Sequence, residues 1–318
     1  MPLSTSIAVC TYNGERFLQE QLDSLLRQTQ RPDQIVIRDD VSSDGTLDIL
    51  RAFVPVAEAM GIMVDLQVNP ENVGYRLNFD GALRACTGEV IFLCDQDDVW
   101  HADKLERFCA EFERRPDLLA LHSDARLIDG EGNVLPRRLF RSLGVGTRQM
   151  RRMHRGAGLD LLLQRDLVTG ATLALRKSIL RDALPLPPSG WVHDAWLATL
   201  AAIIGTIDSV ERPLIDYRLH DGNQLGLGGN DPLSRQARRQ KHLEQDLSEV
   251  LLARLRALHV PEPLQKLIER KKRHIAKRCN LSRSFIKRVP VVMGELLSGN
   301  YGRFGRGLLS AAIDLVRR

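Results

Sequence analysis

Val90-Ile91-Phe92-Leu93-Cys94-Asp95-Gln96-Asp97-Asp98-Val99-Trp100 is the stretch on which the fold turns. An apolar run of strand length passes directly into three carboxylates within four positions. A continuous apolar run is what a strand buried on both faces requires, as in a parallel sheet. Acids at its end present hard oxygen ligands at the sheet edge, and their repulsion calls for a compensating cation. Upstream, residues 7–10, 34–37 and 63–68 form similar runs, recurring at intervals of about 27 residues as βα units do. Phe17, Leu18, Leu22, Leu25 and Leu26 mark a helical face between the first two. Leu77, Ala82 and Leu83 predict a helix starting after Gly74, and Leu105, Phe108 and Phe112 another that Pro116 ends. The class is α/β, a doubly wound parallel sheet whose ligands bind beyond the carboxyl ends of its strands. Tyr12, Asp40 and Asp97 all fall at such ends.

Charge divides the chain. Residues 1–225 carry 25 Lys+Arg against 32 Asp+Glu, whereas residues 226–318 carry 20 against 8. The expected organisation is a catalytic domain over 1–225 and a basic helical region over 226–318, with the glycine-rich stretch 222–229 as the border. The five cysteines lie in no CxxC or His-paired spacing, which favours buried thiols and a reducing compartment. The N-terminus shows no cleavable signal peptide, and residues 195–207 are too short and too interrupted to span a bilayer. A cytoplasmic protein, soluble or peripheral on the inner membrane, is expected.

The motifs supply the chemistry. Asp95 and Asp97 alternate along an extended segment, so both side chains can approach one Mg2+ or Mn2+ carrying a diphosphate; the competing reading is a turn of solvated acids. Asp39 or Asp40 offers an acceptor for the imide N–H of uracil or thymine, or else serves only its turn. Tyr12 is either a stacking platform for a base or a core residue. Ser43 or Asp44 caps the helix that follows. His193-Asp194 opens an apolar helix after a Pro- and Gly-rich loop, with Asp194 either a helix cap or a general base. In Tyr217-Arg218-Leu219-His220, Arg218 can hold phosphate and His220 can complete a metal shell.

Taken in order, Thr11-Tyr12-Asn13-Gly14, Asp39-Asp40-x-Ser-x-Asp44-Gly45-Thr46, Asn72-x-Gly74, Asp95-x-Asp97-Asp98-x-Trp100, His193-Asp194 and Tyr217-Arg218-x-His220 resemble family 2 glycosyltransferases of the GT-A fold. The match spans roughly residues 4–225, and bacterial rhamnosyltransferases are the most similar subfamily. The resemblance implies a metal-dependent, inverting transfer of a sugar, best taken as L-rhamnose from dTDP-rhamnose. The acceptor would be a saccharide or lipid-linked glycan in lipopolysaccharide or exopolysaccharide synthesis. It implies that Tyr12 and Asp40, with Asp39, bind the base, and that Thr11 and Asn13 belong to the donor site. Arg76 and Asn78 would lie near ribose or diphosphate, Asp95 near ribose, Arg218 at phosphate. Asp97 and His220 would hold Mg2+ or Mn2+, and Asp194 would be the base. Two departures stand out: Cys10 replaces a hydroxyl residue of some members, and Arg76 precedes Asn78 by two positions.

Other classes fit less well. A transferase using another UDP-sugar, or a non-catalytic nucleotide-sugar binder, would share most of these motifs. No G-x-G-x-x-G follows the first strand, which disfavours a dehydrogenase. The basic tail has only Phe285, Tyr301 and Phe304 as aromatics, so it offers no stacking platform for nucleic acid. The tail instead resembles an anchor for an anionic membrane surface. Arg303, Arg306, Ser310, Asp314 and Arg317 share one helical face opposite Phe304, Leu308, Ala311 or Ala312 and Leu315, with basic runs at 270–273 and 277–278 upstream. Helices packed on the catalytic domain with a solvated basic face are the alternative.

Overall fold

The computed structural model describes residues 2–187, 190–220 and 248–316. The proposed border at 222–229 and Arg317 lie outside the described residues. The strands are β1 (Thr5–Thr11), β2 (Gln34–Asp39), β3 (Met63–Val68), β4 (Val90–Cys94), β5 (Val99–Trp100), β6 (Leu118–Ile128), β7 (Val134–Arg138), β8 (Leu173–Arg176) and β9 (Thr206–Arg218). Between them run α1 (Glu15–Leu26), α2 (Thr46–Ala59), α3 (Tyr75–Ala85), α4 (Lys104–Arg114), α5 (Leu139–Ser142), α6 (Thr147–His154), α7 (Gly158–Leu162), α8 (Leu180–Ala183) and α9 (His193–Ile204). After them come α10 (Ser248–Ala257), α11 (Glu262–Cys279), α12 (Phe285–Leu297), α13 (Asn300–Phe304) and α14 (Leu308–Val316).

All the strands join one sheet in the order β3-β2-β1-β4-β8-β6-β9-β5, with β7 on β6. The first four are parallel, with Val9 beside both Ile37 and Cys94; β1, β2 and β4 are buried throughout, and β3, at the end of the order, is partly exposed. That register brings the loops leaving β1, β2 and β4 to one edge. Past β4 the sheet is mixed: β8 is antiparallel to β4 and β6, while β9 is parallel to β6 and antiparallel to β5. The acidic loop is therefore held at both ends, by β4 before it and by the short β5 after it.

Leu18, Leu22 and Leu25 of α1 and Leu105, Phe108 and Phe112 of α4 pack with Ile7, Val9 and Phe92 in one core. Gly74 has φ 79°, the left-handed conformation that lets the chain turn into α3 without a side-chain clash. Asp44 accepts the Thr46 backbone N–H at 3.0 Å, so it caps the start of α2. Cys10, Cys86, Cys94 and Cys109 are buried thiols and Cys279 is exposed. The stretch 195–207 is not one helix: α9 stops at Ile204 and β9 begins at Thr206.

The chain divides into two compact units. The first carries the sheet. The second comprises the C-terminal helices with Leu159–Asp166 and Pro187–Trp191. Its interior departs from the helical face predicted for the tail. Ser310 and Asp314 are buried, whereas Leu308 is 74% exposed. Asp314 accepts from Arg278 Nε at 2.6 Å and from the Tyr301 hydroxyl at 2.8 Å. Glu295 accepts from Asn300 Nδ2 at 2.6 Å and lies 2.7 Å from His274 Nδ1, with Lys277 on its other oxygen. Arg270 binds Asn300, and Lys272 pairs with Glu249. Much of the basic run is thus spent inside this unit, because its acids and hydroxyls point inward. No helix among the described residues is long and apolar enough to cross a membrane.

Candidate active site

Three loops at the carboxyl edge of β1, β2 and β4 build the site. The β1 loop is tied to the β2 loop through Asn13. Its N–H donates to Ser42 Oγ at 2.9 Å, and its Oδ1 accepts the Ser43 N–H at 2.8 Å. It is tied to the β4 loop through Gln96, whose carboxamide pairs with the Tyr12 peptide like a neighbouring strand. Oε1 accepts the Tyr12 N–H at 2.7 Å and Nε2 donates to the Tyr12 carbonyl at 3.0 Å. Gly14 leaves room for this clamp, since a Cβ there would stand 2.4 Å from Gln96 Oε1. The Tyr12 ring itself is 42% exposed, which a core tyrosine would not be.

The two acids ending β2 are turned into the fold. Asp39 accepts from the Thr11 hydroxyl at 2.8 Å and from the Ser42 N–H and hydroxyl at 2.8 and 2.6 Å. Asp40 gathers the 69–74 loop by accepting from Asn69 Nδ2, Val73 N–H and Gly74 N–H at 2.8–2.9 Å. A carboxylate has about four acceptor positions, so each acid has most of its capacity engaged. Asn78 is likewise buried, donating to the Arg38 carbonyl and accepting from Asn69 Nδ2. The role expected for Thr11, Asp39 and Asn78 at the donor therefore meets a physical obstacle: their polar atoms face protein partners. Arg76, in the first turn of α3, differs, for its buried Nε has no hydrogen-bond partner.

The β4 loop carries the charge. Burial first, then the Asp97 and Asp194 charges, push the Asp95 carboxyl up to about 7. Burial with Asp97 and Asp95 nearby raises Asp98 well above the carboxylate range. Asp98 Oδ1 accepts the Arg218 N–H at 2.9 Å, but its Oδ2 is buried with no partner. Under this cluster lies Lys104, fully buried at the start of α4. Its ammonium donates to the Ala171 carbonyl at 2.8 Å and sits 3.4 Å from the Trp100 ring centroid. Burial lowers it to about 7, while Cys94, Asp98 and Asp95 act in the opposite sense. Neither Lys104 nor the Gln96 clamp is visible from residue type: a lysine opening a helix and a glutamine in an acidic loop both read as solvated.

Arg218, expected at phosphate, is engaged by several protein partners. Its Nε donates to the Asp97 carbonyl at 2.8 Å, one Nη meets Glu20 at 2.5 Å, and the guanidinium stacks on Phe17. His220, two residues on, lies 2.9 Å from Asp97 Oδ2 and 4.8 Å from the Phe17 ring centroid. That O···N separation suits adjacent ligands of an octahedral ion with bonds of about 2.1 Å, whose edge is about 3 Å. Among the described residues no group of three or more His, Cys, Asp or Glu converges. The remaining positions would be left to phosphate oxygens and water, as is usual for Mg2+ at nucleotide sites.

Asp194 lies in the first turn of α9, where Val192 rather than Asp194 is the N-cap. Its Oδ2 accepts the Gly170 N–H at 2.8 Å and its Oδ1 the Ala195 N–H at 2.6 Å. Its charge reaches Asp95, Tyr75 and Tyr217, so the carboxylate belongs to the strand-end cluster. The preceding His193 stacks on Phe79 at 4.1 Å with neither ring nitrogen partnered, and burial lowers it to about 3. Gly170 permits this packing: a Cβ there would come 2.9 Å from His193 Nε2.

The family model "Glycosyl transferase family 2" matches residues 6–182. An uncharacterised glycosyltransferase of Nostoc sp. is 26% identical over 246 residues, covering 76% of this chain and 73% of that protein. Mycobacterial relatives are 26% identical over 222 residues, and the chain spans 58% of their length. Among solved structures, S. aureus TarS 1–349 in complex with UDP-GlcNAc superposes with a TM-score of 0.60 at 16% identity, covering 93% of this chain and 81% of that one. The mannosyltransferase PcManGT from Pyrobaculum calidifontis, in complex with GDP-Man and Mn2+, gives 0.53 at 18% identity, covering 100% and 82%. At such identities the structural likeness establishes the GT-A fold.

Proposed function

Because the chain belongs to glycosyltransferase family 2, we propose that it transfers a sugar, with inversion, from a nucleotide diphosphate to a hydroxyl of a glycan or lipid-linked glycan. The observation that carries this reading is the gathering of Asp95, Asp97, Asp194 and His220 at the strand ends, where burial and the Asp97 and Asp194 charges push the Asp95 carboxyl up to about 7. A carboxyl raised by burial among other acids points to a functional site.

Asp97 and His220 would hold Mg2+ or Mn2+. Such an ion supplies positive charge beside the departing diphosphate. Arg76, with its unpartnered Nε, supports a role at the diphosphate. The exposed Tyr12 ring is available to stack on the base, held in place by Gln96 and Asn13. In this reading Thr11, Asp39, Asn78 and Arg218 position loops rather than touch the donor, and Asp40 shapes the base pocket by gathering residues 69–74.

Asp194 takes the proton of the acceptor hydroxyl as that oxygen bonds to the anomeric carbon. The bond from that carbon to the diphosphate oxygen breaks on the opposite face, and its electron pair leaves with the nucleotide. Hydrogen bonds from the Gly170 and Ala195 N–H groups hold the carboxylate's direction.

Rhamnose from dTDP-rhamnose remains the preferred donor, on the likeness of the Asp-Gln-Asp-Asp-x-Trp and Tyr-Arg-x-His segments to rhamnosyltransferases. Lipopolysaccharide or exopolysaccharide assembly at the cytoplasmic face of the inner membrane is the corresponding setting. Release of free nucleoside diphosphate from dTDP-rhamnose, UDP-sugars and GDP-mannose tests the proposal. Metal-dependent turnover of dTDP-rhamnose is expected. Turnover of a UDP-sugar alone would replace the donor, and metal-dependent binding without turnover would favour a non-catalytic nucleotide-sugar binder.

A further inference from the structure

The helices α12 and α14 are inside out. An amphipathic helix in water turns its apolar stripe inward and its polar residues to solvent. In α14 the buried positions are Ser310, Ala311 and Asp314, while Leu308, Leu309, Ile313 and Val316 are exposed. In α12 the buried positions are Arg288, Val292 and Glu295, while Ile286, Met293 and Leu297 are exposed, Ile286 and Leu297 by more than 80%. The two helices pack on each other, with Val292 and Ala311 in one small cluster flanked by Leu296 and Leu315.

This polarity is built in. The inward acids are each held by several partners: Asp314 by Arg278 and Tyr301, and Glu295 by His274, Lys277 and Asn300. Rotating either helix to hide its apolar side would strip a buried ionic network and expose carboxylates with no matching cation, a strongly unfavourable exchange. An outward surface of large aliphatic side chains that the fold actively maintains marks a contact with something apolar.

The exposed charges name the contact. Between residues 281 and 316 the only acids are Glu295 and Asp314, and both are buried. The exposed charged residues there are Arg283, Lys287, Arg303 and Arg306, all basic, with Arg303 only loosely paired to Asp160 at 3.7 Å. Apolar side chains rimmed solely by Lys and Arg match the boundary between acyl chains and anionic headgroups. A second copy docked on the same face would oppose like charges across the interface.

We propose that α12 and α14 form an interfacial docking surface for an anionic lipid bilayer, with Ile286, Met293, Leu297, Leu308, Leu309 and Val316 entering the headgroup region. The proposal deepens the membrane part of the functional reading and does not rest on its sugar chemistry. The long basic run of α11 has a different task, since Arg270, Lys272, Lys277 and Arg278 all have partners inside the unit.

The test is flotation of the full chain with phosphatidylcholine vesicles, with and without about one third phosphatidylglycerol, for wild type, a Leu297→Glu/Leu308→Glu variant and a Lys287→Glu/Arg306→Glu variant. Every substituted residue is exposed, so folding is not at stake, and circular dichroism checks it. Wild type is expected on anionic vesicles, with partitioning reduced at least tenfold in the apolar variant and several-fold in the charge variant. A Leu297→Trp reporter should shift to the blue on the same vesicles. Equal partitioning of wild type and the apolar variant overturns the proposal. So does a wild type that ignores vesicles but forms a dimer, by sedimentation, that the apolar variant breaks. Nucleotide binding measured in the same samples is independent of these outcomes, so loss of one reading does not pass for loss of the other.

Discussion

Acids at the end of β4 and acids in the helical unit are the same chemical groups under opposite conditions. Glu295 is ringed by Lys277, Asn300 and His274, and although burial opposes it these partners hold its carboxyl down to about 2. Asp95 is buried among Asp97 and Asp194, with the buried Lys104 acting in the opposite sense, and its carboxyl rises to about 7. Asp98 goes further, with one oxygen buried and unpartnered. Among the described residues the helical unit surrounds its buried Glu295 and Asp314 with several donors, whereas Asp98 keeps one buried oxygen unpartnered beside a raised Asp95. In the proposed function this second set is held for a ligand.

The sharpest way to break this contrast is at Asp194. Asp194→Asn should lower kcat/KM by roughly 10^2 to 10^4, the range for loss of a general base, while metal-dependent nucleotide binding survives. Loss of binding as well, by calorimetry, would make Asp194 a structural acid like Glu295.

Stability should then move in opposite directions in the two regions. Asp314→Ala removes the partner of the buried Arg278 and should cost about 3–5 kcal/mol in denaturant unfolding. Asp98→Asn relieves repulsion within a crowded group of acids, so metal-free protein should unfold at the same or a higher temperature. A large loss from Asp98→Asn would show that its charge is structurally matched after all.

The pH dependence carries the same sign logic. Glu295 is depressed below its ordinary value, so its stabilisation is present above about 4.5 and is lost as pH falls toward 2. The advantage of wild type over Glu295→Gln should fade across that window. His122 is buried and lowered to about 4. The unfolded chain takes up its proton below about 6.5, so this contribution is present above that pH and is lost as pH falls toward 4. His122→Leu should flatten the acid limb of the stability curve between those values, and an unchanged limb would remove His122 from the account.

Gln96→Ala is the mildest change. It frees the Tyr12 peptide from two hydrogen bonds worth about 1 kcal/mol each. Nucleotide affinity should fall about tenfold or less, with Gln96→Glu recovering the bond from the Tyr12 N–H but not the one to its carbonyl. If base binding ignores both variants, Tyr12 is not the platform.

The parallel half of the sheet was readable because β1, β2 and β4 are continuous apolar runs, which few other structures tolerate. The second half was not, since β6 and β9 carry Asp124, Asp208 and Asp216 into the interior and their pairing joins residues about ninety positions apart. Site residues were expected from motif order, which says nothing of which of them face outward. Asp39 and Asn78 have the same residue types whether they bind a donor or their own backbone. Lys104 escaped notice because burial, not identity, gives it meaning. In the tail a helical wheel groups Arg303, Arg306, Ser310 and Asp314 on one face but does not say that Asp314 turns inward to meet Arg278 while Arg303 and Arg306 stay exposed.

If the strand-end cluster is a metal-dependent nucleotide-diphosphate site, isothermal titration calorimetry should show dTDP or UDP binding with Mn2+ and losing that binding in EDTA. Binding that requires the metal, disappears in Asp97→Ala and persists in Asp194→Asn is the predicted result. Binding of equal strength in EDTA, undiminished by Asp97→Ala, would contradict it.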